Sequence, residues 1–202
     1  MAKRVILVRH GILAEAHRGR YIGRTDAPLS AEGRRQAAAL APEFGRWEKA
    51  TILCSPLLRC RETATIALGD GQGFRIDEEL REIDFGRWEG LGFAEIAAAD
   101  PATVDRWAAL VPDFTFPGGE ALRAFTARIA AAAARIAADP METVIVVAHG
   151  GVIRFLICRF LGLEDRHYLL FGIGPGSVTE LRIAEGSGIL TRLAAAQPQE
   201  GL

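Results

Sequence analysis

Val5-Ile6-Leu7-Val8-Arg9-His10-Gly11 is the stretch whose reading decides the fold. The apolar run is too short for an ordinary helix and rich in β-branched residues. It reads as a strand buried on both faces, as in a parallel sheet. Polar chemistry begins abruptly at its C-terminal end. In open α/β sheets that edge is where ligands sit. Gly11 has no Cβ, which lets the chain turn sharply and bring its backbone close to a bound group. Thr143-Val144-Ile145-Val146-Val147-Ala148 is a second buried-strand run, and it ends in His149-Gly150-Gly151. Two strands that each deliver a histidine and then a glycine at one edge would set two imidazoles side by side.

The chain has 202 residues, half of them apolar, and a net charge of −1. That suits one domain with a full core. No basic tail or stripe is present, which argues against nucleic acid or an anionic membrane as partner. Cys54, Cys60 and Cys158 are odd in number and share no CxxC spacing. They read as buried thiols of a reducing compartment. The first apolar run is broken at Arg9, too soon for a signal peptide, and no run reaches the length of a membrane span. The expectation is a soluble cytoplasmic protein. Its four histidines are scattered and HExxH is absent, so neither a metal nor another cofactor is expected. A homodimer is left open.

A polar loop carrying Arg18, Arg20 and Arg24 follows the first histidine and closes at Pro28. Ser30 is placed to cap a helix, with Glu32 in its first turn. Ala37, Leu40, Ala41, Phe44 and Trp47 recur as an apolar stripe. Thr51-Ile52-Leu53-Cys54 is a short strand, followed by Ser55 as cap and Pro56 at the first helical position. Arg59 in that helix reads, taken alone, as a solvated surface arginine. Phe74-Arg75-Ile76 reads as an edge strand. Leu80-Arg81-Glu82-Ile83-Asp84-Phe85-Gly86 sets two acids among apolar neighbours. Residues from about 91 to 116 form a helical excursion partly covering the site. Pro117-Gly118-Gly119-Glu120 starts the next helix, whose buried face is Leu122, Phe125, Ile129 and Ile136. Val152 to Ile157 is a buried helix stopped near Gly162. Ser177–Ile183 and Gly188–Ala195 are closing strands. The expected architecture is α/β: a three-layer sandwich with a mostly parallel central sheet and helices on both faces. A single domain spans residues 1–196, with a disordered tail at 197–202.

If His10, His149, Arg9 and Arg59 meet at one sheet edge, they suit a doubly charged tetrahedral anion. Phosphate monoesters fit. Their uncatalysed hydrolysis demands enhancements of up to about 10²¹-fold, more than clamping alone supplies. A neutral imidazole is a competent nucleophile at pH 7. Attack by His10 would give a phosphohistidine that water then cleaves, while the arginines and His149 offset charge on the equatorial oxygens. Glu82 or Asp84 is placed to protonate the leaving group if burial raises its pKa.

Several ordered motifs resemble those of the histidine phosphatase superfamily, in its phosphoglycerate-mutase-like branch. They are Arg9-His10-Gly11 after a buried strand, Arg20 through Ser30, Ser55-Pro56-Leu57-Leu58-Arg59-Cys60-Arg61-Glu62-Thr63-Ala64, Leu80 through Gly86, Pro117-Gly118-Gly119-Glu120 and Ala148-His149-Gly150-Gly151. The resemblance implies a phosphoglycerate-mutase-like fold without a metal and His10 as the phosphorylated nucleophile. It also implies Arg9, Arg59 and His149 as the phosphate pocket and Glu82, rather than Asp84, as proton donor. The chain departs from the family pattern at Ile12, where a glutamate is common, and at Ala16, where an asparagine often helps to hold phosphate. Arg20, Gly23 and Arg24 are the candidates for substrate contacts in that loop. The short excursion argues for a phosphatase over a phosphoglycerate mutase, which needs a bisphosphate primer and an extra closing segment. Gly23-Arg24-Thr25-Asp26 and the Phe-Pro-Gly-Gly-Glu stretch are similar to α-ribazole phosphatases, suggesting α-ribazole 5′-phosphate among small phosphorylated metabolites. The third alternative is a weakly catalytic relative that binds a phosphorylated ligand or a protein.

Overall fold

The computed structural model describes residues 3–45, 49–69, 73–109, 111, 113–184 and 187–195. The first buried run is β1 (Lys3–Arg9) and the second is β4 (Thr143–Ala148). They lie side by side and parallel, with Val5 opposite Val144 and Arg9 opposite Ala148. Both therefore end at the same edge, and the histidine after each is delivered there. β2 (Ala50–Cys54) runs parallel on the far side of β4, and the short β3 (Arg75–Ile76) parallel beyond it. β5 (Val178–Ala184) and β6 (Ser187–Ala195) form an antiparallel hairpin on the other flank. The sheet order is β3-β2-β4-β1-β5-β6.

Side chains alternate between two apolar layers, as the strand period demands. Val5, Leu7, Val144, Val146 and Ala148 face α6 (Leu122–Ala138) and α7 (Gly150–Leu161). Ile6, Val8, Ile145 and Val147 face Leu40, Phe44, Cys60 and Ala64. Those four come from the segment α1 (Ala31–Ala39), α2 (Ala41–Gly45) and α3 (Leu58–Leu68). Helices thus cover both faces of the sheet. The excursion folds as α4 (Phe93–Ala99) and α5 (Pro101–Ala108), with Ile96 and Val104 joining the layer that holds α6 and α7.

Neither α6 nor α7 has a side-chain hydrogen bond at its N-cap. A cap contributes about 1 kcal/mol, whereas each fully buried Ile, Leu or Phe contributes about 1.5–3 kcal/mol. Phe125, Ile129, Ile136, Ile153 and Leu156 are all buried, so burial and not capping fixes these helices. The uncapped start of α7 leaves N–H groups free for the site.

Some local expectations are corrected. The helix after β2 starts at Leu58, later than expected, and Ser55 Oγ both accepts from Leu57 N at 3.4 Å and meets His149 Nε2 at 2.8 Å. The helix after Pro117 starts at Leu122, and Glu120 stands before it bound to Arg128. Ala41 is exposed rather than part of the apolar stripe, whereas Leu40 and Phe44 are buried. Gly11 makes its close approach to the backbone of Gly33 on α1: a Cβ there would lie 2.4 Å from the Gly33 carbonyl oxygen. Ser30 caps α1 as expected, accepting from Gly33 N at 2.9 Å. Trp47 and the expected tail at 197–202 lie outside the described residues. No described helix is long and apolar enough to cross a membrane.

Candidate active site

The β1 and β4 ends build the site. His10 N donates to the Ala148 carbonyl at 3.1 Å, which continues the ladder one residue past Arg9. The His10 and His149 rings lie 5.3 Å apart at 61°. His10 is 6 % exposed, and its Nδ1 is 2.8 Å from the Gly11 carbonyl oxygen. A carbonyl only accepts, so Nδ1 carries the proton and Nε2 keeps its lone pair. Burial, then the charges of Arg59 and Arg9, hold the His10 pKa well below the ordinary 6.5. The ring is therefore a neutral imidazole with one free nitrogen.

His149 is fully buried and its tautomer is fixed on both sides. Arg59 Nε donates to Nδ1 at 3.1 Å, which leaves the Nε2 proton for Ser55 Oγ at 2.8 Å. Burial, then Arg59, His10 and Arg9, lower its pKa well below 6.5. Cys60 packs its sulfur 3.5 Å from His149 Nε2. Burial pushes that thiol up to about 12, so it is an uncharged neighbour and not a nucleophile.

Arg59 is fully buried, contrary to the surface reading that its sequence position alone suggests. Its Nη atoms donate to the carbonyls of Thr25 (2.9 Å), Gly23 (2.8 Å) and Ile22 (3.3 Å). It therefore straps the polar loop onto the strand ends. Arg9 donates to the Ile173 carbonyl, and its buried Nε has no partner. Burial is the main cause that lowers the Arg9 pKa to about 10. An orphaned, buried donor on a cation is a place where an anion would be satisfied.

Glu82 is nearly buried, and backbone N–H groups hold its carboxylate. Gly151 N on α7 donates to Oε2 and Ile83 N to Oε1, both at 3.1 Å. A Cβ at Gly151 would lie 2.5 Å from Glu82 Oε1 and push the carboxylate out of this position. Asp84 turns elsewhere and accepts from Gly86 N at 2.9 Å.

A cavity of about 590 Å³ opens in front of these groups, lined by Arg9, His10, Glu82, Gly150 and Gly151 at its inner end. Arg20 lines it too, but is exposed and binds the Gly90 carbonyl at 2.6 Å. Gly23 and Arg24 do not line it. Gly23 is buried behind the wall, its carbonyl spent on Arg59, and Arg24 points to Glu120 at 3.7 Å. Arg59 and His149 stand behind His10 rather than in the wall. Trp88 and Phe114 are core side chains, whereas Trp107 and Phe116 reach the lining. Among the described residues no group of three His, Cys, Asp or Glu has metal-site geometry.

The residue pattern gave no warning of several supports. Glu89 accepts from Gly23 N (3.0 Å), Arg24 N (2.7 Å) and Thr25 Oγ1 (2.7 Å), and so organises the loop that Arg59 straps. Gln36 accepts from Ile12 N at 2.9 Å, which anchors the non-standard stretch after Gly11. Thr63, one turn after Arg59, accepts from Gly11 N at 3.2 Å. Arg154 lines the cavity from α7.

The chain is similar to known proteins along nearly its whole length. The chain is 30% identical over 193 residues to phosphoserine phosphatase 1 of Hydrogenobacter thermophilus, covering 94% of this chain and 91% of that one. It is 34% identical over 194 residues to glucosyl-3-phosphoglycerate phosphatase of Mycobacterium tuberculosis, covering 89% and 85%. The crystal structure of the α-ribazole phosphatase from Shigella flexneri superposes with a TM-score of 0.86 at 28% identity, over 98% of this chain and 100% of that one. The family model of the histidine phosphatase superfamily (branch 1) matches residues 5–196. With its paired imidazoles at the ends of two adjacent parallel strands, the chain belongs to that superfamily.

Proposed function

We propose that this protein is a phosphomonoesterase that passes through a phosphohistidine at His10. The observation that carries the reading is the His10 ring: neutral, tied at Nδ1 to the Gly11 carbonyl, with Nε2 open at the inner end of the cavity. Nε2 attacks phosphorus and the ester oxygen departs. Glu82 at the cavity wall supplies the proton to that oxygen, then as carboxylate takes one from the water that cleaves the phosphohistidine. Arg9 in the wall and the Arg59 cation behind the nucleophile offset the charge on the equatorial oxygens, and His149 holds Arg59 in place through Nδ1. Every step uses this chain's own side chains, so no metal is required.

The substrate class is a small phosphorylated metabolite. All three relatives named above are phosphatases, which supports hydrolysis over mutase chemistry. α-Ribazole 5′-phosphate would place an aromatic base against Tyr21 and Trp107 in the cavity wall, but it offers nothing to Arg154. Hydrolysis of p-nitrophenyl phosphate in excess EDTA tests the reading. Turnover is expected in the wild type, and His10→Ala should lose several orders of magnitude in kcat, as removal of nucleophiles does elsewhere. A mild loss in a folded variant would contradict the covalent route.

A further inference from the structure

The arginines lining the cavity are not equivalent. Arg18 pairs with Glu15 at 3.3 Å and Arg20 with Glu95 at 3.4 Å, both at the exposed rim. Arg9 shares the inner end with Glu82, whose charge acts on it. Arg154 is half-buried in the wall and has no carboxylate. Its Nε donates to the Phe171 carbonyl at 2.8 Å, which fixes the plane of the guanidinium. Its two terminal nitrogens make no hydrogen bond or ion pair with any described residue. Arg9, of the same sign, lies near enough for the Arg154 charge to act on it. A half-buried guanidinium with an open fork beside another cation lacks its natural counterpart.

Its position says where that counterpart would lie. Gly150 abuts the Arg9 guanidinium and Gly151 abuts the Glu82 carboxylate. Arg154 follows them by four and three residues, so it shares their helix face about one turn, or about 5.4 Å, further along. Beside it the wall is apolar: Tyr168 stacks on Phe155 with centroids 4.7 Å apart, and both line the cavity. Such a wall excludes water and strengthens an ion pair made there. An open planar fork matches the two oxygens of a carboxylate.

We propose that Arg154 is a specificity-determining residue that receives a carboxylate on the organic part of the phosphate ester, about one helical turn from the groups that hold the phosphate. The inference rests on the reading that the His10 end takes the phosphate, and it names the class as acidic phosphomonoesters.

Binding separates the two. In the His10→Ala background, calorimetry measures affinity for 3-phosphoglycerate and for glycerol 3-phosphate, which differ only in a carboxylate against a hydroxymethyl group. A charge-assisted hydrogen-bonded pair corresponds to about a tenfold to hundredfold preference for 3-phosphoglycerate. Adding Arg154→Gln should abolish that preference and leave the glycerol 3-phosphate affinity within about twofold. Arg154→Lys, which keeps the charge without the fork, should lose part of the preference and serves if the glutamine variant fails to fold. Equal affinities for the two ligands, no binding of either, or equal weakening of both by either substitution would overturn the proposal. A chain that shows the carboxylate preference yet hydrolyses no ester would lose the phosphatase reading and keep this one.

Discussion

One ring nitrogen sets what His10 does. The Gly11 carbonyl takes the Nδ1 proton at 2.8 Å, and burial with Arg59 and Arg9 keeps a second proton off the ring. Nε2 is then a lone pair at every neutral pH, and no general base is needed. Glu82 has the complementary task, and leaving-group chemistry exposes it. In Glu82→Gln, alkyl phosphates should slow by about 10²–10⁴-fold, the usual contribution of a positioned acid, while p-nitrophenyl phosphate, whose leaving group needs little protonation, slows far less. Equal losses for both substrates would remove Glu82 as the acid. At this scale the sequence was legible only in part. His10 and His149 announced themselves because each ends an apolar run. Arg59 was legible only through the resemblance of its motif, because an arginine early in a helix is exposed by default. Its burial depends on three loop carbonyls and an imidazole that come from distant parts of the chain. Ser55, Glu89 and Gln36 were illegible for the same reason.

The acid follows a single 3-10 turn, Glu78–Leu80, and a neighbouring helix braces that turn and the residues after it. Arg128 on α6 donates to the carbonyls of Glu79 (2.6 Å), Arg81 (2.7 Å) and Glu82 (3.2 Å). Its Nε and Nη2 also clasp Glu120, at 2.8 and 3.0 Å. One guanidinium therefore holds the segment from Glu79 to Glu82 in place, and a lysine has too few donors in the right plane to replace it. Arg128→Lys is expected to repeat the leaving-group signature of Glu82→Gln in weaker form, with p-nitrophenyl phosphate turnover nearly retained. A uniform loss on both substrates would mean that Arg128 supports the fold and not the acid. The elements themselves were well signalled. Strand runs, the Ser30 cap and the Gly162 stop all stand where the residue pattern put them. α3 and α6 start later than the residue pattern put them: Ser55 Oγ is shared between Leu57 N and the remote His149, and Glu120 is held ahead of α6 by Arg128 from within that helix.

At the scale of the whole molecule, two imidazoles are buried uncharged at the junction of sheet and helices. Both pKa values are lowered in the folded chain, so below 6.5 the unfolded chain binds protons that the folded chain refuses. Stability should be full above pH 6.5 and fall as pH drops below it, toward about 1.4 kcal/mol per pH unit for each ring. Urea titrations at pH 7.5, 6.5 and 5.5 check this, and a flat profile would contradict buried neutral histidines. The fold class was legible at this scale, because strands alternating with helices leave few ways to close a core. The identity of the second group that fills the cavity was not, since it depends on how α7 carries Arg154 to the wall. The central claim is a covalent bond between phosphorus and His10 Nε2. Rapid quench of the wild type with a phosphate ester under alkaline conditions, followed by peptide mass spectrometry, tests it most directly. The expected result is an acid-labile phosphate on the peptide that carries His10, formed within one turnover and absent in His10→Ala. Phosphate found on another residue, or turnover with no phosphorylated peptide at any quench time, would contradict it.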